Sequence, residues 1–238
     1  MKSPIFRLQR KIRLLKARRL VEKGQSHDVA WNKEKLLEYW RETANQTGGQ
    51  LHDNAPVGYA EATGERLEMV NYISEKITQL CAHDEPILEL GTNAGLTFSY
   101  LHKNGYRNLT GIEINPVAIS VMKEKFPDMY NDSKIINGGF EDTLPTMKEN
   151  SFFLVYSTAV LMHVHPSSNF IFEHIARISK KYIITLELED HIYNRIFPRK
   201  YKKIFENLGF KQIFFEKTGN KTPKYGNYHC RIFQKISA

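Results

Sequence analysis

At 238 residues, with 41% hydrophobic and 25% charged content, the chain is long enough for one sizeable core and too apolar to be disordered. Two cysteines in no metal-like spacing, Cys81 and Cys230, exclude a disulfide framework, and no apolar run approaches the roughly 18 residues of a membrane span. The net charge of +8 is local, because residues 1–23 hold nine basic residues against one acid, Glu22, and the remaining 25 basic and 25 acidic residues cancel. A cytoplasmic globular domain carrying a basic arm is the expectation.

Residues 1–30 form that arm. Ile5, Leu8, Ile12 and Leu15 recur at helical spacing, with arginine and lysine over most of the other faces. Such a helix can lie peripherally on an anionic membrane, grip nucleic acid phosphates, or pack as a solvated helix on its own domain or another subunit. An Arg-rich, acid-poor start also suits a transit peptide, but the acid-rich stretch that follows offers no cleavage site. The oligomeric state is left open.

Residues 31–65 continue with a helix over Trp31 to Thr43, its Leu36, Leu37 and Trp40 facing inward. The stretch Asn45 to Gly64 then reads as an ordered loop or lid rich in Gly, Asn and Pro. His52, Asp53, Asn54 and Tyr59 are its polar candidates for holding a small-molecule or glycan acceptor.

Residues 66–238 alternate helix and strand. An amphipathic helix over Arg66 to Cys81 leads into a strand at Ile87 to Leu90, which stops at Gly91. The turn Gly91-Thr92-Asn93-Ala94-Gly95 opens a helix that carries Phe98 and Leu101 on one face and stops at Asn104-Gly105. Leu109 to Ile114 is the next strand, and Asn115-Pro116 caps a helix with Ile119, Met122 and Phe126 as its buried stripe. Further strands are expected at Lys134 to Asn137, Ser151 to Ser157, Lys181 to Glu187, Phe210 to Glu216 and Tyr228 to Lys235, with helices at Ser167 to Ser179 and Pro198 to Leu208. Seven strands ending in a hairpin predict an α/β, doubly wound, mostly parallel sheet with an antiparallel terminal strand at its edge.

A strand ending beside a helix N-terminus presents free N–H groups to a ligand. The dinucleotide fingerprint G-x-G-x-x-G is absent, since Asn93 and Leu96 stand where its later glycines belong. The pattern is instead E-x-G-x-x-x-G, Glu89 through Gly91 to Gly95, followed by an acid, Glu113, at the tip of the second strand. A carboxylate there has two oxygens at the spacing of a vicinal diol.

From about Arg66 onward this pattern resembles the class I S-adenosylmethionine-dependent methyltransferases, which have a Rossmann-like fold. The resemblance implies that Glu89 holds the cofactor's ammonium group, that the turn of Gly91, Thr92, Asn93, Ala94 and Gly95 wraps its methionine part, and that Glu113, beside Ile114, takes the ribose hydroxyls. Gly139 and Phe140 fall at the adenine contact, and Ser157 and Thr158 complete the cofactor-binding set. Family members commonly carry an acid where Gly139 stands, so adenine would be left to N–H groups near Phe140 or to Glu141 and Asp142.

The acceptor leaves fewer marks. The tetrad after the fourth strand, Ser157-Thr158-Ala159-Val160, is not the N-P-P-Y of amino-group methylases, and neither cysteine lies near the mouth. His163 and His165 stand just beyond that strand, where a base for a hydroxyl acceptor belongs. The V-L-x-H-V run resembles that of quinone and small-molecule O-methyltransferases, with Met162 and Ala159 in place of their metal-holding acids, so no metal is expected. G-x-N-A-G, G-I-E-I-N-P, H-x-H-P and F-P-R-x-Y-K together resemble bacterial methyltransferases associated with surface-polysaccharide and sugar modification. The expected function is O-methylation of a small molecule, sugar or glycan. An RNA methyltransferase using the arm and a non-catalytic cofactor-binding assembly partner are the alternatives.

Overall fold

A computed structural model of the chain describes residues 4–44, 46–47, 50–51, 54–219 and 227–236. It begins with two helices, α1 (Pro4–Glu22) and α2 (Lys33–Glu42). The segment read as a lid forms a small hairpin, β1 (Gln46–Thr47) with β2 (Gln50–Leu51), and a single turn, α3 (Pro56–Tyr59); His52 and Asp53 lie outside the described residues. Helix α4 (Gly64–Thr78) then leads into the alternating part of the chain.

That part runs β3 (Ile87–Leu90), α5 (Leu96–Lys103), β4 (Leu109–Glu113), α6 (Pro116–Lys125), α7 (Pro127–Asp132), β5 (Lys134–Asn137) and the one-turn α8 (Phe140–Thr143). It continues with β6 (Phe152–Thr158), α9 (Ile171–Ile178), β7 (Ser179–Glu187), α10 (Tyr201–Asn207), β8 (Phe210–Lys217) and β9 (His229–Lys235). Seven strands pair in the order β5-β4-β3-β6-β7-β9-β8, parallel except for β9, which runs antiparallel to both neighbours. The sheet is the doubly wound, mostly parallel one expected. One detail differs: the antiparallel strand is not at the edge, because the β8–β9 hairpin folds back and inserts β9 beside β7, leaving β8 outermost.

The central strands are buried on both faces, which is why Ile87–Leu90 reads as a nearly unbroken apolar run. One face packs Ile73 and Ile77 of α4, Phe98 and Leu101 of α5 and Met122 of α6; the other packs Phe172 and Ile175 of α9 and Phe205 of α10. Asn115 caps α6 through its side chain, as its Asn-Pro start predicts, but the buried face is Ala118, Val121 and Met122. Phe126 ends the helix, because Pro127 follows it and drives its backbone out of the helical region, to φ −135° and ψ 57°, yet its half-buried ring still packs on the same core as Met122.

A third cluster, Val21 of α1, Leu36 of α2 and Phe197, fastens the N-terminal helices to the segment before α10. Removing such side chains from water contributes about 1.5–3 kcal/mol each. The helices therefore sit at the carboxyl ends of β6 and β7, next to the point between β3 and β6 where the sheet order reverses and ligands of such folds bind.

Candidate active site

Two acids close the ends of β3 and β4. Glu89 is 4% exposed, and its Oε2 finds no hydrogen-bond partner among the described residues. Burial, joined by the nearby Glu113 charge, pushes its carboxyl up to about 8. Glu113 is 7% exposed and accepts the backbone N–H of Asn93 at 2.7 Å on one oxygen and that of Asn115 at 2.9 Å on the other. Burial raises its carboxyl as well, against the pull of those N–H groups. A carboxylate has about four lone-pair sites, so two remain to accept a diol.

The glycine turn joins these acids. Gly91 and Gly95 sit at φ +75° and +77°, and Asn93 at φ +47°, a left-handed backbone that its side chain supports by accepting from Ala94 N at 2.8 Å. A Cβ on Gly95 would lie 2.7 Å from Met122, so the missing side chain lets α5 start against α6. At Gly91 the close neighbour is the Val160 side chain, 2.6 Å from where a Cβ would be. What the sequence reads as room for a ligand is shared here with the loop after β6. The Thr92 and Thr158 hydroxyls are buried and unpartnered among the described residues. Ile114 is half-buried beside Gly139, and Phe140 packs half-buried on the core. Glu141 accepts from Ser168 Oγ at 2.7 Å and pairs with Lys33 of α2 at 3.3 Å, so it ties down the N-terminal helix.

Ser157 is fully buried, its Oγ donating to Glu187 Oε1 at 2.5 Å. Glu187 was not singled out from sequence, yet it organises the loop that follows. Its two oxygens accept the N–H groups of Val160, Leu161 and Met162 at 3.0–3.1 Å, holding a segment in which Ala159 adopts φ +59°. Arg199 clasps the same loop from behind, donating to the carbonyls of Leu161 and Val164 and to Asn169 Oδ1. The F-P-R-x-Y-K run is therefore a buried clasp, with Phe197 and Tyr201 fully enclosed around Arg199.

The two histidines on this loop differ. His165 is occupied at both ring nitrogens: Nδ1 accepts from Ser167 N at 3.2 Å, capping a short turn, and Nε2 donates to Ser26 Oγ at 2.7 Å. Burial, with Lys33 and Arg199 nearby, lowers its pKa. His163 Nδ1 lies 2.6 Å from the Arg195 carbonyl, which accepts, so Nδ1 carries the proton and Nε2 keeps its lone pair. Burial lowers the ring's pKa to about 4.

A roof of aromatics covers His163. The Trp40 ring packs against it at 4.7 Å, and the Trp40 indole Nε1 is buried without a partner among the described residues. Arg195 places its guanidinium 4.2 Å from the Tyr39 ring centre and 5.5–5.6 Å from those of Trp31 and Trp40. Tyr39 Oη accepts from Asn54 Nδ2 at 2.6 Å, Asn54 Oδ1 accepts from Tyr59 Oη at 3.1 Å, and Asn115 Nδ2 donates to the Thr43 carbonyl at 2.8 Å. Of the lid candidates, Asn54 and Tyr59 thus reach α2. Trp40 and Arg195 had no local signal, because their meeting depends on how α2 docks; Glu187 had one, an acid at the carboxyl end of a strand like Glu89 and Glu113.

An acid-glycine turn at the reversal point of a seven-stranded sheet defines the class I methyltransferase type of fold. The family model described as "Methyltransferase domain" matches residues 88–182 of the chain. The structure is similar to magnesium protoporphyrin IX methyltransferase (ChlM) from Synechocystis PCC 6803, solved with bound S-adenosylmethionine, at TM-score 0.62 and 14% identity over 88% of this chain and 100% of that one. It is also similar to geranyl diphosphate C-methyltransferase from Streptomyces coelicolor A3(2), at TM-score 0.60 and 11% identity over 89% and 100%. No curated sequence matches the chain.

The buried groups fit the cofactor's chemistry. The unpartnered Glu89 oxygen suits a cation, the spare lone pairs of Glu113 suit a diol, and the Thr92 and Thr158 hydroxyls lack partners where a polar ligand would supply them.

Proposed function

We propose that the chain binds S-adenosylmethionine between Glu89, the Gly91–Gly95 turn and Glu113, and transfers its methyl group to a hydroxyl of a small molecule, sugar or glycan. The observation that carries the hydroxyl reading is the fixed tautomer of His163, whose Nε2 lone pair stands at the carboxyl edge of β6 beneath Trp40. The bound cofactor supplies an electrophilic methyl group on sulfur. His163 Nε2 accepts the acceptor's proton, while the Arg195 carbonyl holds Nδ1–H and keeps the ring aimed. A ring with pKa near 4 is a weak base, but a hydroxyl oxygen that is gaining a bond to carbon becomes strongly acidic, so a weak base suffices late in the transfer. The ring also stays neutral at physiological pH and is ready to accept. Trp40 and the Arg195 cage exclude water from it.

Calorimetric titration with S-adenosylmethionine and S-adenosylhomocysteine is the first test, with micromolar binding, about −8 kcal/mol, expected for both. His163→Ala should then leave those affinities unchanged and lower kcat on a hydroxylated acceptor by about 10²- to 10⁴-fold. Binding of neither ligand overturns the cofactor assignment. Unchanged kcat in His163→Ala overturns the base. Transfer to RNA in preference to every hydroxylated small molecule overturns the acceptor class.

A further inference from the structure

Helix α1 has two faces with different fates. Ala17 and Val21 are buried, and Arg18 donates to the Glu189 carbonyl and pairs with Asp190, so the second half of the helix is anchored beside the carboxyl end of β7. Ile5, Leu8, Ile12 and Leu15 are 70%, 59%, 45% and 43% exposed. At about 100° per residue, that stripe is centred roughly 180° around the helix from Ala17 and Val21. It faces away from the protein. The exposed Lys11 and Lys16 flank it on either side, and Arg19 continues its line.

We propose that this outward stripe of α1 is a docking surface for an anionic lipid bilayer. Charge and apolarity together select the occupant. The arm holds the whole net charge of the chain, +8, so a second copy of the same helix would be repelled, whereas anionic headgroups are attracted. Nucleic acid phosphates would satisfy the cations and leave four large aliphatic side chains uncovered. A bilayer takes both: the aliphatic groups enter the acyl boundary, and lysines along either flank reach back to the headgroups. With 19 residues the helix is about 28 Å long, lies along the surface, and spans nothing. No helix among the described residues is long and apolar enough to cross a membrane.

The test is flotation of the full chain with vesicles of phosphatidylcholine alone and of phosphatidylcholine containing about 30% phosphatidylglycerol. It reads no methyl transfer, so its outcome is separate from that of the proposed reaction. The wild type should float with the anionic vesicles, weaken in ~1 M salt, and bind neutral vesicles at least about tenfold less. Leu8→Glu with Ile12→Glu should abolish flotation at unchanged Tm, since both side chains are exposed. Lys11→Glu with Lys16→Glu should weaken it by about fivefold or more per position. The proposal is overturned by no flotation, by equal binding to neutral vesicles, or by full flotation of the Leu8→Glu, Ile12→Glu variant. Stripe-dependent dimers in lipid-free sedimentation would assign the face to a second copy instead. Tighter binding to single-stranded RNA than to vesicles, unmoved by the stripe variant, would assign it to phosphates.

Discussion

The carboxyl of Glu89 has lost its hydration without receiving a cation in return, and its raised pKa, about 8, is the consequence. Such a group is mostly protonated at pH 7 in the free protein. Gaining an ammonium partner would ionise it, so ligand binding at pH 7 should release close to one proton, measurable by calorimetry in buffers of different ionisation enthalpy. The dissociation constant should rise as pH falls below about 8, by up to tenfold per unit. No released proton would separate Glu89 from the ammonium. The stability linkage has the opposite sense: the folded state holds the proton more tightly than the unfolded chain, so this group's contribution is fully present below about pH 4.5 and is lost as pH rises through 8. His163 behaves the other way, its contribution present above about pH 6.5 and lost as pH falls toward 4. Because it stays neutral down to that point, kcat at saturating cofactor should hold to about pH 5.

Among elements, the loop between β6 and α9 depends most on a single side chain. Glu187 alone satisfies three consecutive N–H groups and the Ser157 hydroxyl. Glu187→Gln keeps one oxygen but turns an NH₂ toward a donor, and should cost about 1–3 kcal/mol; Glu187→Ala strands every partner and should cost more than about 4 kcal/mol, with kcat falling as His163 loses its support. Chemical denaturation and a kcat comparison would check both; a neutral Glu187→Ala would remove Glu187 from the argument. The strands and helices that frame this loop were legible because periodicity and caps are local: Ile87–Leu90, the Asn115 cap and the Gly91–Gly95 turn all follow from short windows. Position in the sheet was less so, since a hairpin has the same local pattern with either strand outermost, and only packing puts β9 beside β7. At the site, Glu89 and Glu113 announced themselves by their place at strand ends. Trp40, Arg195 and the division of labour between His163 and His165 did not, because each is decided by contacts from segments far away in sequence.

At the scale of the whole molecule, charge and core are separated. The basic residues gather on a helix whose described residues before Leu14 are all exposed, while the helix end is pinned by Val21, Leu36 and Phe197. Deleting residues 1–13 should therefore leave Tm within about 2 °C, a shift worth under roughly 1 kcal/mol in a protein of this size. Scanning calorimetry checks this, and a drop of several degrees would mean that the exposed half of α1 supports the fold. The insertion of β9 has a consequence in time as well as in space. The outer edge of β7 is complete at Glu187, but the strand that pairs with it begins only at His229. During synthesis β7 must wait with open N–H and C=O groups while β8, which is made first, has no sheet to join except through β9. A nascent chain of this protein passes through a stage in which its central sheet ends in a free border at β7. Slow translation of residues 188–228 would prolong that stage and draw on chaperones or favour aggregation, whereas in the finished molecule the free border has moved from β7 to β8.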